Sequence, residues 1–391
     1  MKVAFVVPRY GGEVAGGAEA LCRSTARALA GAGDEVTVYT TTARDSPGFE
    51  DHYAAGAEDE GGVRVLRFPA ERPDPALAAA LLRRLSVGAG GPDEEAAWSR
   101  AQGPVSRPLL AALAQAPRRH EVVAVWTYLS ATSHLGMPLV ADRAVLAPMA
   151  HDEPMVRFGV TRGLTRMAAG FAFLTPEERR LVDEAHGIGG RPEAVVGAGL
   201  DPAPDGAAAR ARRDGGVPRR FALYLGRVDA AKGIDALVRA HSRYRDAGGP
   251  LGLVMAGRTV AGTRLPRWVV ATGFVSPERR ADLLAAAEVV VLPSPHESLS
   301  LAALEAWAAG RPTLAIARSE VLAGQTARSG GGLLYTDAIS YRRQLSRLAS
   351  DPELRELLGG AGRRFAAALD WPACARRWRA LLAQVRRPLS R

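Results

Sequence analysis

The chain has 391 residues, more than one ordinary hydrophobic core serves, so two domains are expected. Hydrophobic residues make up 47% and charged residues 24%, a globular composition, and no apolar run approaches the length of a membrane span. The net charge is +10, but of 51 basic residues only Lys2 and Lys232 are lysines, so the surplus is largely an arginine bias.

The N-terminal apolar run, 2–7, ends at Pro8 and is too short for a secretory signal. Cys22 and Cys374 are far apart and have no metal-ligand spacing, which points to a reduced, cytoplasmic setting. Strand-like runs follow at 35–41, 63–68, 122–128, 144–150 and 170–175. Helical spacing fills 17–30 and 176–186. The segment 72–108 is ambiguous: partly helical, with a Gly-rich tract at 88–95. This alternation predicts an α/β fold with a parallel, doubly wound sheet.

Residues 201–218 are rich in Pro, Gly, Asp and Arg, without an apolar period, and read as a linker. A second series of strands is predicted at 221–225, 251–256, 269–273, 288–292, 313–316 and 332–335. Closing helices are expected at 340–350, 352–369 and 372–385. The expected domains are 1–200 and 219–370, each Rossmann-like, with 371–391 as a terminal helix. Ligands are expected in a cleft at the C-terminal ends of the strands. Arginines gather late, at 376, 377, 379, 386, 387 and 391. That cluster suits peripheral contact with anionic lipid at an inner membrane face, or a plain solvated helix face. No nucleic-acid recognition motif accompanies it.

The most specific motif is EVVVLPSPHESLSLAALEAWAAG at 288–310. It predicts a buried strand, a Pro-marked turn and a helix opening near Ser298, with Glu297 and Glu305 along it. Eight residues of helix separate the two carboxylates by roughly 12 Å, about the span from the sugar to the ribose of a nucleotide-diphosphate sugar. The first-turn amides between them suit a diphosphate. Next is GRVDAAKGID at 226–235, directly after a strand. Arg227 and Lys232 flank its turn and suit the charge of a diphosphate and of its departure. In a chain that prefers arginine, an interior lysine here points to a need for a flexible point charge.

GGEVAGGAEAL at 11–21 lets the backbone at Gly16 and Gly17 approach an anion or a sugar, or is a plain tight turn. It is neither a P-loop nor a dinucleotide fingerprint, which disfavours an NAD-linked dehydrogenase. His151 follows the 144–150 strand and suits a sugar hydroxyl, while Asp152 with Pro154 resembles a helix N-cap. There is no Asp-x-Asp pair, no HExxH, no Cys cluster and no nucleophile elbow.

Together these segments resemble the GT-B-fold retaining glycosyltransferases, the large group 1 family that includes bacterial mannosyl-, glucosyl- and sucrose-type enzymes. The resemblance rests on FVVPRYGG and GGAEALCRSTARALAGAGDEVTVYTT, on FLTPEERRLV with Thr175 and Glu178, on YLGRVDAAKGID and on ESLSLAALEAWAAGRPTLAI. It implies two Rossmann-like domains facing a central cleft, with the last helix returning to the first domain. It implies that Glu297 binds the donor sugar, Glu305 the ribose, and Arg227 and Lys232 the diphosphate. Ser298 and the amides near Ser300, Leu301 and Ala302 would assist, and backbone at Phe274 and Val275 would hold the base. Gly16 and Gly17 would line the donor–acceptor side, and His151 would contact the transferred sugar. The implied activity is metal-independent transfer of a hexose from a UDP- or GDP-sugar to an acceptor hydroxyl, with no cofactor and no metal. The partners are the nucleotide-sugar donor and a glycan, lipid or metabolite acceptor. A nucleotide-sugar epimerase of the same fold, or a non-catalytic binding scaffold, is the alternative.

Overall fold

The computed structural model describes residues 1–389 except 203, 214 and 215. Arg391 of the basic cluster and those three positions of the 201–218 segment lie outside the described residues. The chain divides into two compact units, residues 1–199 with 371–391, and residues 200–370.

The first unit holds β1 (Lys2–Val6), β2 (Glu35–Thr41), β3 (Gly56–Asp59), β4 (Arg64–Phe68), β5 (Val122–Trp126), β6 (Ala144–Ala147), β7 (Gly170–Phe173) and β8 (Glu193–Val195). Their order is β3-β4-β2-β1-β5-β6-β7-β8. All pairings are parallel except β3 with β4. Helices cover both faces, so β5, β6 and β7 are buried along their whole length and read as unbroken apolar runs. The helix Trp371–Val385 belongs to this unit. Its Trp378 stacks on Trp126 at 5.5 Å between ring centroids, and Phe5 lies 6.0 Å away. Two arginines of the basic cluster are used internally. Arg377 donates to the Val196 carbonyl at 2.8 Å, and Arg379 lies 3.1 Å from the Asp34 carboxylate. Arg376, Arg386 and Arg387 of the cluster are exposed. No described helix is long and apolar enough to cross a membrane.

The second unit holds β9 (Phe221–Leu225), β10 (Gly252–Ala256), β11 (Val269–Gly273), β12 (Val289–Leu292), β13 (Thr313–Ile316) and β14 (Gly332–Tyr335). All pair in parallel, in the order β11-β10-β9-β12-β13-β14. Both sheets are thus Rossmann-like. In each, the first strand sits between neighbours that leave in opposite directions: β1 between β2 and β5, and β9 between β10 and β12. Loops diverge at these switch points and leave room for a ligand.

Two strands were not expected from the sequence. Gly56–Asp59 is exposed throughout and polar, and Glu193–Val195 is three residues long, so neither carries an apolar signal. The segment 201–218 carries a helix, Ala208–Arg213, that docks on the second unit. Ala211 is fully buried, and Arg210 pairs with Asp282 at 2.7 Å. The Arg210 guanidinium holds the Asp282 carboxyl below its ordinary range.

One buried histidine makes acid stability testable. His241 hydrogen-bonds the Tyr341 hydroxyl through Nδ1 at 2.8 Å and donates from Nε2 to the Leu251 carbonyl at 3.0 Å. A neutral ring satisfies both, accepting at Nδ1 and donating at Nε2. Burial pushes its pKa down to about 4. The unfolded chain therefore takes up this proton first, and the stability that His241 confers is present above about pH 6.5 and declines as pH falls toward 4. The stability gap between wild type and His241→Gln, measured by thermal unfolding, is expected to be widest near pH 8 and to narrow across that window. A gap independent of pH would contradict a neutral His241.

Candidate active site in the second unit

The site forms where β9 and β12 part. After β9 the chain makes the loop 226–233. The Asp229 side chain, largely buried, accepts from the Lys232 amide at 2.9 Å and from the Arg227 Nε. The Tyr224 hydroxyl donates to the Arg227 carbonyl at 2.6 Å. Burial, and then the charges of Glu297 and Asp229, raise the Tyr224 phenol, so it stays protonated as that donor. Asp229 thus holds the Arg227 side chain and the backbone of Lys232 at this turn.

Gly233 closes the loop and opens the helix Ile234–Asp246 with φ of 77°. A Cβ there would lie 2.4 Å from the Pro293 carbonyl oxygen. Only glycine allows both the left-handed backbone and this approach to the loop after β12. That contact brings the two loops together, and the Lys232 Nζ donates to Glu297 Oε1 at 2.9 Å.

The helix after β12 is Leu301–Ala308, capped by Ser300, which accepts from the Ala303 amide at 3.3 Å. It opens two to three residues later than the sequence suggested. Glu297 therefore lies in the loop, and only Glu305 is on the helix. The helical rise of roughly 12 Å between the carboxylates does not apply. A further correction concerns Ser300, whose amide donates to the buried Gln325 side chain at 3.0 Å and is not open to an anion. Leu301 and Ala302 amides carry no such bond among the described residues. Ser298 is buried beside them.

Glu305 meets a partner the sequence did not reveal. Arg280, on the helix Pro277–Ala286, donates to Glu305 Oε1 at 2.9 Å. Burial pushes the Glu305 carboxyl up, against the pull of Arg280. Just before that helix, Phe274 exposes 75% of its surface and Val275 is half-buried.

These features match known proteins. Residues 219–351 fit the family model described as Glycosyl transferases group 1. A D-inositol 3-phosphate glycosyltransferase from Kineococcus radiotolerans is 33% identical over 59% of this chain and 61% of its own length. The chain thus spans about three-fifths of that relative. The enzyme of the same name from Thermomonospora curvata is 29% identical over 92% of this chain and 88% of its own. The Anabaena protein HepE, solved in complex with UDP-glucose, aligns with TM-score 0.69 and 15% identity over 98% of this chain and 99% of its own. Residues 219–351 thus carry a group 1 glycosyltransferase domain, and the fold of the chain is GT-B.

The remaining expected residues lie in the first unit, on loops at the C-terminal ends of β1 and β6. Gly16 caps the helix Gly17–Gly31. A Cβ at Gly16 would fall 2.0 Å from Glu19 Oε2, and Glu19 is held by Arg9 at 2.5 Å, so glycine here has a packing reason of its own. His151 Nδ1 lies 3.2 Å from Glu153, which also accepts from the buried Tyr128 hydroxyl at 2.5 Å. Asp152 does not cap the turn Pro154–Arg157. It pairs with Arg157 at 2.8 Å instead. The Thr175/Glu178 element acts on this loop. Glu178, fully buried, accepts from the Ala150 amide at 2.7 Å and the Leu174 amide at 2.6 Å. Burial pushes its carboxyl up to about 8 against those bonds. It thereby fixes the chain immediately before His151.

Gly233→Ala is expected to lower stability by about 1–3 kcal/mol in thermal or denaturant unfolding, from the left-handed backbone alone. The added Cβ also presses on the Pro293 carbonyl, so the Lys232–Glu297 contact is expected to open. Unchanged stability would show that the two loops are not joined in this way.

Proposed function

We propose that this glycosyltransferase moves a hexose from a UDP- or GDP-sugar to an acceptor hydroxyl, with retention at the anomeric carbon and without a metal ion. The observation that carries the reading is the Lys232–Glu297 pair across the β9/β12 switch point, with Arg227 in the same loop and Glu305 on the helix that follows. The bound UDP-glucose of HepE and the D-inositol 3-phosphate acceptor named for the relatives support a nucleotide-sugar donor and a hydroxyl acceptor.

Donor binding exchanges two ion pairs for contacts with the donor. Lys232 turns from Glu297 to the diphosphate, and Glu297 turns to hydroxyls of the sugar. Glu305 leaves Arg280 for the ribose, and the exposed Phe274 with the backbone of Val275 meets the base. As the C1–O bond to the diphosphate breaks, charge grows on the leaving oxygen. Arg227, Lys232 and the Leu301 and Ala302 amides stabilise it. The acceptor oxygen bonds to C1 on the same face, and its proton passes to the departing phosphate oxygen. On the first unit, Gly16 and Gly17 line the donor–acceptor side, and His151 contacts the transferred sugar.

Lys232→Ala is expected to cut turnover by about 10²–10³. Its stability is expected to change by less than about 1 kcal/mol, because the pair is partly solvated. Activity is expected to persist in EDTA. Near wild-type turnover of the variant would sink the diphosphate assignment, and loss on chelation with recovery in Mg²⁺ or Mn²⁺ would reject the metal-free route.

Calorimetry separates the two glutamates. Glu305→Ala is expected to weaken free UDP or GDP and the full donor alike, by roughly the 1.5–3 kcal/mol of a hydrogen bond to a charged group. Glu297→Ala is expected to weaken only the full donor. Free nucleotide should bind it as well as wild type or better, because Lys232 no longer has an ion pair to leave. Equal losses of nucleotide affinity in both variants would show that they do not divide the donor.

A further inference from the structure

The first unit carries another concave feature, at the end of its strands opposite to Gly16 and His151. A cavity of about 330 Å³ opens at the N-terminal ends of β1, β2 and β4, lined by Lys2, Arg64, Arg118, Arg119, Tyr39 and His120, with Glu35 beside them. Its charge is unbalanced. Glu35 lies 3.7 Å from Lys2, and Arg118 donates to Gln115 at 3.1 Å. Among the described residues Arg64 and Arg119 have no carboxylate partner, whereas Arg9, Arg210 and Arg220 each do. Buried His120 shares a hydrogen bond with the Tyr39 hydroxyl at 3.1 Å. Burial, and then Arg119, Lys2 and Arg64, push its ring down to about 4, so these cations act on one point. Guanidinium forks beside a half-enclosed, partly apolar wall suit a phosphate group on a small organic body.

We propose that this cavity binds a phosphate monoester or diester, with Arg64, Arg119 and Lys2 as its anion contacts. The same chemistry is offered by a soluble phosphorylated metabolite and by a phospholipid headgroup.

The test is calorimetric titration of the full chain with glycerol 3-phosphate at low salt, in wild type, Arg64→Ala/Arg119→Ala and Lys232→Ala. Saturable binding is expected in wild type and in Lys232→Ala. In the double variant it is expected to be weaker by roughly ten-fold or more. Both arginines are exposed, so folding does not rest on them. Arg119→Glu alone gives a second reading with the same expected direction. No saturable binding, equal binding in wild type and double variant, or loss confined to Lys232→Ala would overturn the proposal. Sedimentation with phosphatidylglycerol vesicles then separates the sources. Pelleting of wild type but not of the double variant identifies a headgroup. No pelleting, alongside arginine-dependent binding of glycerol 3-phosphate, identifies a soluble ligand.

Discussion

The second unit is organised around one electrostatic constraint. A lysine and a glutamate from loops 65 residues apart must meet, or each must find another partner. The meeting is possible because β9 and β12 are neighbours in the sheet though not in the chain. Asp229 fixes the lysine's turn, and Gly233 lets the second loop approach. The pair is about a third exposed at Lys232, so it contributes roughly 1 kcal/mol or less. That weakness suits a site whose resting contacts are exchanged for a ligand. A fully buried pair would resist the exchange, because parting it would strand charge in a dry interior.

Much of the fold was legible in the sequence because parallel sheets covered on both faces leave continuous apolar runs. The bounds of β9, β11, β13 and β14 coincide with their runs. Legibility failed where burial was slight. Gly56–Asp59 forms its strand by pairing backwards along β4, with every residue exposed. The Ala208–Arg213 helix buries one alanine and is held by Arg210 and Asp282, a contact 72 residues long that no local pattern announces.

The site was legible in its residue types and less so in its geometry. Lys232 was conspicuous as an interior lysine in an arginine-rich chain. Arg280 was hidden by that same bias, since one arginine among many carries no signal. Glu297 was expected on a helix because the apolar period appeared to begin at Ser298. The structure begins it after Ser300, whose hydroxyl satisfies the Ala303 amide. A Ser-rich approach to a helix offers more than one cap, and sequence alone does not choose between them.

The choice of cap limits what the helix can hold. Four amides of a first turn lack helical partners. Here the Ser300 hydroxyl satisfies one, and the Gln325 side chain occupies the amide of Ser300 itself. Leu301 and Ala302 are left, in an eight-residue helix whose dipole acts only over its first turn. Two adjacent amides match the oxygens of one phosphate group, not two. On the proposed reading the helix therefore takes one phosphate of the donor, and the other falls to side-chain cations, Arg227 and Lys232. On that reading, two side-chain cations stand beside a helix N-terminus that suffices for a single anion. On the same reading, the Lys232–Glu297 contact keeps both charges at the site until a donor exchanges them.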